Sequence, residues 1–523
     1  MRYRLTIKAL ILVLAAWSGF SPCWASGKRL HRISQEELED KIAGGWAGKM
    51  IGVSFAAPTE FRAQGRIMEE DLPPWKPERV SNSLNQDDLY VNMTLAEVLD
   101  TNGLNATTAD FGRLFRNAEY GLWHANLAAR RALRRGVPAG LSGMPLYNAH
   151  ANDIDFQIEA DFIGLMAPGL YRGSNRIASR AGRVMNYGDG LYGGMFVAGM
   201  YSAAFVETDR LRVVQNGLAC IPGGSPYAQL ILDVLVWSKQ YPDDWKKVWD
   251  LIGKKWDQRE PCPAGALDSF NIDAKLNGAY IVLGLLYGQG DFARTLEIAT
   301  RAGQDSDCNA STAAGILGVM IGYHAIPEEW KSGIADIADR VFNYTRFSFR
   351  TIVSYNLERA VDMVRKYGGR IDGSDLLIPV QKPKAPALEV WDDYGSPAES
   401  VPFSDSRWKW VGNWGPLDPS RKESSRMASD KNAAALIGFE GTGAIVVGPF
   451  LPEGGQADIF LDGKLHRTVD VCSDEGRSKG EEAIWHVFGL KNQSHQLKIL
   501  VRGESYGSGR KTDVAIDRLV VFR

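Results

Sequence analysis

The run Ser311–Tyr323, STAAGILGVMIGY, most narrows what this chain can fold into. It is apolar on nearly every side, so as a helix it belongs in the buried centre of a bundle rather than on a surface. Its small residues, Ala313, Ala314, Gly315, Gly318 and Gly322, would let neighbouring helices approach closely. At 523 residues the chain is long enough to surround such a helix and to build a further domain. Helical patterning extends from about residue 34 to 370. Ser34 with Glu37 three residues later reads as a capping box. The stretch Leu38–Phe55 is rich in Gly and Ala, which suits close helix packing. Further helices are predicted over Leu191–Glu207, Pro226–Gln240, Asp243–Trp256, Asn277–Tyr287 and Asp291–Ala302, with Pro226 and Asp291 as helix starts.

The pattern changes after about Gly373. Residues 379–400 carry four prolines and no periodicity, which reads as a linker. Short β-type runs follow: Ala444–Val447, Ala457–Leu461, Leu465–Val471, Ala483–Phe488, Leu497–Val501 and Val514–Phe522. Asp462-Gly463 is a hairpin signal between two of them. The expected organisation is a mainly α domain over 28–375, a linker over 376–401 and a β-sandwich over 402–523. Ahead of them, Arg2, Arg4 and Lys8, the apolar run Ala9–Ala16 and the small residue Ala25 read as an export signal over 1–25. The predicted location is periplasmic or extracellular, with no integral membrane segment after cleavage. Losing those three basic residues and no acid takes the formal charge from −2 to −5, which argues against a nucleic-acid partner.

Cys220, Cys262, Cys308 and Cys472 are scattered without a CxxC, so neither a disulfide scaffold nor a zinc site is expected, although a Cys220–Cys262 bridge would be allowed. No pair among the seven histidines has zinc-ligand spacing. There is no GxxxxGK[ST] loop.

The chemistry concentrates in acids. Asp87 and Asp88 open a helix (LYVNMTLAEVL) whose inward face carries Val91, Leu95 and Val98, and Asp88 shares that face. Two acids at a helix start can be plain N-terminal caps. A second cluster, Asp305-Ser306-Asp307, stands at the mouth of the most buried helix. Two such clusters on two buried helices point to a shared cation. Oxygen donors of this kind suit magnesium, with calcium or manganese as alternatives. Between them lies Asn152–Gly164, with four acids in nine residues. If helical, Asp155 and Glu159 share a face. They are candidates for the acid and base that glycosidic cleavage needs, against the alternative of a solvated charged face. The Gly-rich turn Asn186–Gly194 offers Asn186, Gly188, Asp189 and the stacking residue Tyr192 as substrate contacts. In the sandwich, Trp408, Trp410, Trp414 and Trp485 could line a sugar site or form core.

The helical part resembles the ADP-ribosylglycohydrolase family. That family opens with a Gly-rich helix ending in a Pro-x-Glu segment, matched by GGWAGKMIGVSFAAPTEF. It continues with a Thr-Asp-Asp-Thr motif, matched by QDDL. It closes with Gly-Asp-Thr-Asp-Thr before an Ala/Gly-rich helix, matched by AGQDSDCNASTAAGILGVMIG. The resemblance covers roughly 38–330 and implies an orthogonal helical bundle, here followed by a jelly-roll-like sandwich. It implies a magnesium pair held by Asp87, Asp88, Asp305 and Asp307 beside the scissile bond. It also implies Glu60 as a catalytic glutamate that orients or deprotonates water. Gln86 and Cys308 stand where the family has threonine. Glutamine still offers an oxygen, but a thiol is a poor ligand for a hard cation. The expected activity is metal-dependent cleavage of a glycosidic bond in a sugar or glycan. The alternatives are hydrolysis of an ADP-ribosyl conjugate, or glycan binding by a degenerate enzyme.

Overall fold

The computed structural model describes residues 29–257, 261–417, 425–507 and 511–523. The signal expected over 1–25 lies outside them. A helical domain is followed by antiparallel sheets that form a sandwich.

The central helix is Ser306–Ile321, and every residue from Ser306 to Val319 is buried. Its main partner is the first long helix, Gln35–Ala56, capped by Ser34 Oγ accepting from Glu37 N at 3.0 Å. A stripe of glycines on this helix permits the contact. A Cβ on Gly44, Gly48 or Gly52 would lie 2.2–2.5 Å from the carbonyl oxygens of Gly318, Ala314 and Ala310 respectively. The backbones therefore touch along three turns. Around this pair pack the helices Asp87–Asn102, Asp189–Ala204, Ala274–Tyr287 and Phe349–Lys366. Pro226–Gln240 has the bounds read from sequence. No helix among the described residues is long and apolar enough to cross a membrane.

Leu30–Ser34 and Asp375–Pro379 pair antiparallel and close the helical domain at both ends. Pro397–Pro402 pairs with Arg518–Phe522 inside the sandwich. Ladder hydrogen bonds thus claim both ends of the expected linker, and the irregular stretch is 380–396 rather than 376–401. One sheet of the sandwich orders Lys464–Asp470, Gly455–Leu461, Gln493–Ser505, Ala434–Gly441 and Lys409–Val411. The other orders Lys479–Val487, Gly443–Phe450, Arg518–Phe522 and Pro397–Pro402. Asp462 (φ 50°) and Gly463 (φ 78°) make the tight turn of the expected hairpin.

The two domains are docked. The helix His124–Arg134 sends Arg130 to Glu475 (2.8 Å), while Arg135 pairs with Asp470 (2.7 Å) and Asp474 (2.8 Å). Arg131 lies over the Phe450 ring. Burial raises the Asp470 carboxyl, but Arg135 and Arg131 outweigh it and hold the group below its ordinary range. The same sandwich loop reaches the next cavity: Leu122 N donates to Glu475 Oε1 at 2.8 Å, and Lys479 sits over Trp123. Trp408 and Trp485 are buried, so they are core; Trp410 stacks on Trp408 at its edge.

Candidate active site

The turn before the central helix brings the site together. Gly303 (φ 84°) and Gln304 (φ 53°) reverse the chain in a conformation that glycine adopts freely. Gln304 N donates to Ala63 O, and Gln304 O accepts from Phe61 N at 3.0 Å. The Gln304 side chain ties down Asn271 N and Ser269 O. These bonds set the Glu60 loop against Asp305 and Asp307.

Glu60, Gln86, Asp87, Asp155, Asp305, Asp307 and Cys308 line one cavity of about 260 Å³, with Tyr90, Trp123, His124 and Asn126 on its walls. Carboxylate oxygens of Glu60, Asp305 and Asp307 fall within 4.8 Å of one another, as do ligand atoms of Asp88, Asp307 and Cys308. Asp305 and Asp307 are buried, and Oδ1 of each has no hydrogen-bond partner. An unpaired buried carboxylate is costly. Burial pushes both carboxyls well up; Glu60 adds to it in Asp305, and Asp305 and Glu60 add to it in Asp307. Such a set of oxygens fits a hard divalent cation.

Asp88 behaves differently. It is fully buried, and both its oxygens are taken: Oδ1 by Lys49 Nζ at 3.3 Å, Oδ2 by the Cys308 thiol at 3.2 Å. Lys49 is itself 0% exposed and also pairs with Asp161 at 3.0 Å. Burial opposes its charge, but Asp161 and Asp88 keep it protonated. Burial, then Asp305 and Asp88, raise the Cys308 thiol well above its ordinary range, so it remains a thiol donor. The Asp88 side thus carries its own cation and a soft atom. The Glu60–Asp305–Asp307 side carries neither.

The segment Asn152–Gly164 is not a solvated face. It forms two short helices, Asp155–Glu159 and Asp161–Leu165, and its four acids are all buried. Asp155 faces the cavity, held by Ala125 N (3.2 Å) and Asn126 N (2.9 Å). Burial lifts its pKa to about 6 against those donors. Glu159 lies behind the wall, where Oε1 accepts from Asn126 Nδ2 at 2.5 Å. Burial and Asp155 raise it well above its ordinary range. Asp87 is lifted to about 7 by burial, Asp88 and Glu60.

The Gly-rich turn does not reach the cavity. Asn186 Nδ2 donates to Ala151 O and Asp153 O, making it an internal brace. Asp189 accepts from Tyr227 N at 3.2 Å. The Tyr192 hydroxyl donates to Ala387 O and accepts from Glu389 N, and Gly188 faces Glu389–Trp391. The surface expected to meet substrate is covered by the chain's own interdomain segment. Sequence reasoning passed over Lys49, Asn92, Asn126, Asp161 and Trp123. Asn92 is the pivot of the buried network: its Nδ2 donates to Asp161 Oδ2 (3.0 Å) and its Oδ1 accepts from Phe162 N. An Asn four residues after Asp88 on an apolar helix was the available signal.

The ADP-ribosylglycohydrolase family model matches residues 34–354. No curated protein matches the sequence. Among solved structures, an ADP-ribosylglycohydrolase-related protein complex is 18% identical over 63% of this chain and 99% of its own, with a TM-score of 0.38. The CBM36-1 domain of a multidomain xylanase from the hindgut metagenome of Trinervitermes trinervoides is 12% identical, covering 23% of this chain and 94% of its own, with a TM-score of 0.18. A family 35 carbohydrate binding module from an environmental isolate is 11% identical over 23% of this chain and 90% of its own, also with a TM-score of 0.18.

Proposed function

The chain belongs to the ADP-ribosylglycohydrolase family, and on that premise we propose that it is a divalent-cation-dependent hydrolase of a glycosidic bond in a sugar or glycan, acting outside the cytoplasm. The observation that carries the reading is the convergence of the exposed Glu60 with Asp305 and Asp307 on one cavity, a buried oxygen of each aspartate being left unpaired. A magnesium ion held there would bind sugar hydroxyls and polarise the reacting centre. The reading takes one ion rather than two, because Lys49 and Cys308 already satisfy Asp88.

The chain's own groups supply the rest. Asp155, pinned by two backbone N–H groups that favour its anion, takes the proton from water. Asp87, lifted to about 7 and so the more often protonated of the two near neutrality, carries the proton for the leaving oxygen. Glu159 positions Asn126 and does not touch substrate. Trp123, 44% exposed, offers a ring face beside the one Lys479 covers, on which a sugar ring can stack.

A neutral sugar is favoured over ADP-ribose because, among the described residues, no Lys or Arg lines the cavity, while five carboxylates do. A diphosphate entering it would have the bound cation as its counter-charge against those five carboxylates, with no cationic side chain of the lining to help. Export, on which the extracellular assignment rests, is checked by the N-terminal mass of the periplasmic or secreted protein. A panel of aryl glycosides and ADP-ribosylated peptides, with and without chelator, tests the activity. Chelator-sensitive release from a glycoside supports the reading. Release from ADP-ribosyl peptides alone replaces the substrate, and turnover unaffected by chelator removes the metal.

A further inference from the structure

Beside this site, and sharing the His124 wall with it, the fold assembles a second donor set. We propose that His124, His150, Asp153 and Cys262 bind a structural zinc ion. Their ligand atoms lie within 4.8 Å of one another. His124 Nδ1 is 3.7 Å from Cys262 Sγ and 3.6 Å from Asp153 Oδ2, and His150 Nδ1 is 2.8 Å from the same oxygen. Tetrahedral zinc, with bonds of about 2.0–2.3 Å, sets its ligand atoms roughly 3.3–3.6 Å apart. The cluster needs only small side-chain adjustments to reach that geometry.

Chemistry selects the ion. Two imidazoles, a thiolate and a carboxylate are a borderline-soft set that suits zinc rather than magnesium. One thiolate and one carboxylate cancel the ion's charge, so the loaded site is neutral and inexpensive to bury. Asp153 is 0% exposed, and neither its Oδ1 nor His150 Nε2 has a hydrogen-bond partner. Asp153 is thus a buried, incompletely satisfied donor in the middle of the cluster. A Cys–His nucleophile is the competing use of these groups, but Cys262 is itself 0% exposed and no substrate can reach it. None of the four cysteines among the described residues is disulfide-bonded.

The ligands come from three places: the start of the Arg-rich helix, the loop before the acidic segment, and the loop leading to Ile272. His124 and Ile272 both line the cavity. Zinc would therefore fasten two walls of the site to each other.

The test is elemental analysis and cobalt substitution on the full chain, prepared without an affinity tag. The expected result is about one zinc per chain, lost in Cys262→Ser and His150→Ala and kept in Asp307→Asn. Cobalt(II) added to zinc-stripped protein should give a thiolate charge-transfer band in the near ultraviolet and tetrahedral visible bands. If Cys262→Ser fails to fold, the cobalt spectrum of the unaltered chain decides. Absence of the thiolate band, failure to hold zinc against a chromophoric chelator, or zinc retained in a folded Cys262→Ser each overturns the proposal.

Discussion

Gly48→Ala probes the contact on which the site is built. The added Cβ would sit 2.2 Å from Ala314 O and 2.6 Å from Ala314 C. An ordinary C···O approach is about 3.3 Å or more, so the helices must part by roughly 1 Å. The obstacle is backbone, which cannot rotate away as a side chain would. Gly44 and Gly52 pin the same face one turn to either side, so tilting gives little relief. Overpacking of this kind costs about 3 kcal/mol, the upper part of its usual range. Alanine's better helix propensity returns about 1 kcal/mol, leaving a net loss near 2 kcal/mol. The same 1 Å shift separates Lys49 from Asp88 and moves Asp305 and Asp307 away from Glu60, and misplacement of that size costs on the order of 10²-fold in turnover. Urea unfolding followed by circular dichroism gives the stability, and released sugar gives the rate. Gly253→Ala is the control. It is also helical, but its Cβ would meet nothing within 4 Å, and it should stabilise by up to about 1 kcal/mol with activity unchanged. If Gly48→Ala matches the control in stability and rate, the close-contact account is wrong.

Lys49→Met leaves Asp88 and Asp161 buried without their cation and should cost about 3–5 kcal/mol in chemical unfolding; a loss under about 1 kcal/mol would contradict the pairing. Asp189 is lifted to about 7, chiefly by burial. Its folded pKa lies above its unfolded value, so its contribution to stability falls as pH rises from about 4 to about 7, by on the order of 4 kcal/mol if nothing relaxes. Asp189→Asn should flatten the dependence of Tm on pH across that window and raise Tm above it; an unchanged slope contradicts the assignment. Tyr192→Phe removes the hydroxyl that holds Ala387 and Glu389, so it should cost about 1 kcal/mol and speed protease cleavage within 380–396. KM should stay unchanged, whereas a raised KM would return Tyr192 to the substrate site.

Much of the fold was legible because its signals are local. Ser225 and Asp291 cap the helices that begin at Pro226 and Phe292, and Asp462-Gly463 turns its hairpin as the residue pair requires. The acidic pairs were legible for the same reason: Asp87-Asp88 and Asp305-x-Asp307 each sit at one helix start. What failed was everything set by partners distant in sequence. For the acids of Asn152–Gly164 a solvated face stays open as the alternative to catalysis until Lys49 and the N–H groups of Ala125 and Asn126 are brought to them. The Gly-rich turn looks open until Glu389 and Trp391 lie across it. His124, His150, Asp153 and Cys262 show no ligand spacing, because the fold rather than local sequence gathers them. Gln86, expected to lend an oxygen to the metal, reaches the cavity wall without a side-chain contact that assigns it there.

The central claim is a single hard-cation site formed by Glu60, Asp305 and Asp307. Manganese(II) titration followed by electron paramagnetic resonance, on zinc-loaded protein, counts the ions bound. The account predicts one manganese per chain, displaced by magnesium, absent in Asp307→Asn and required for glycoside release. Two ions per chain, or activity that persists with none bound, would contradict it.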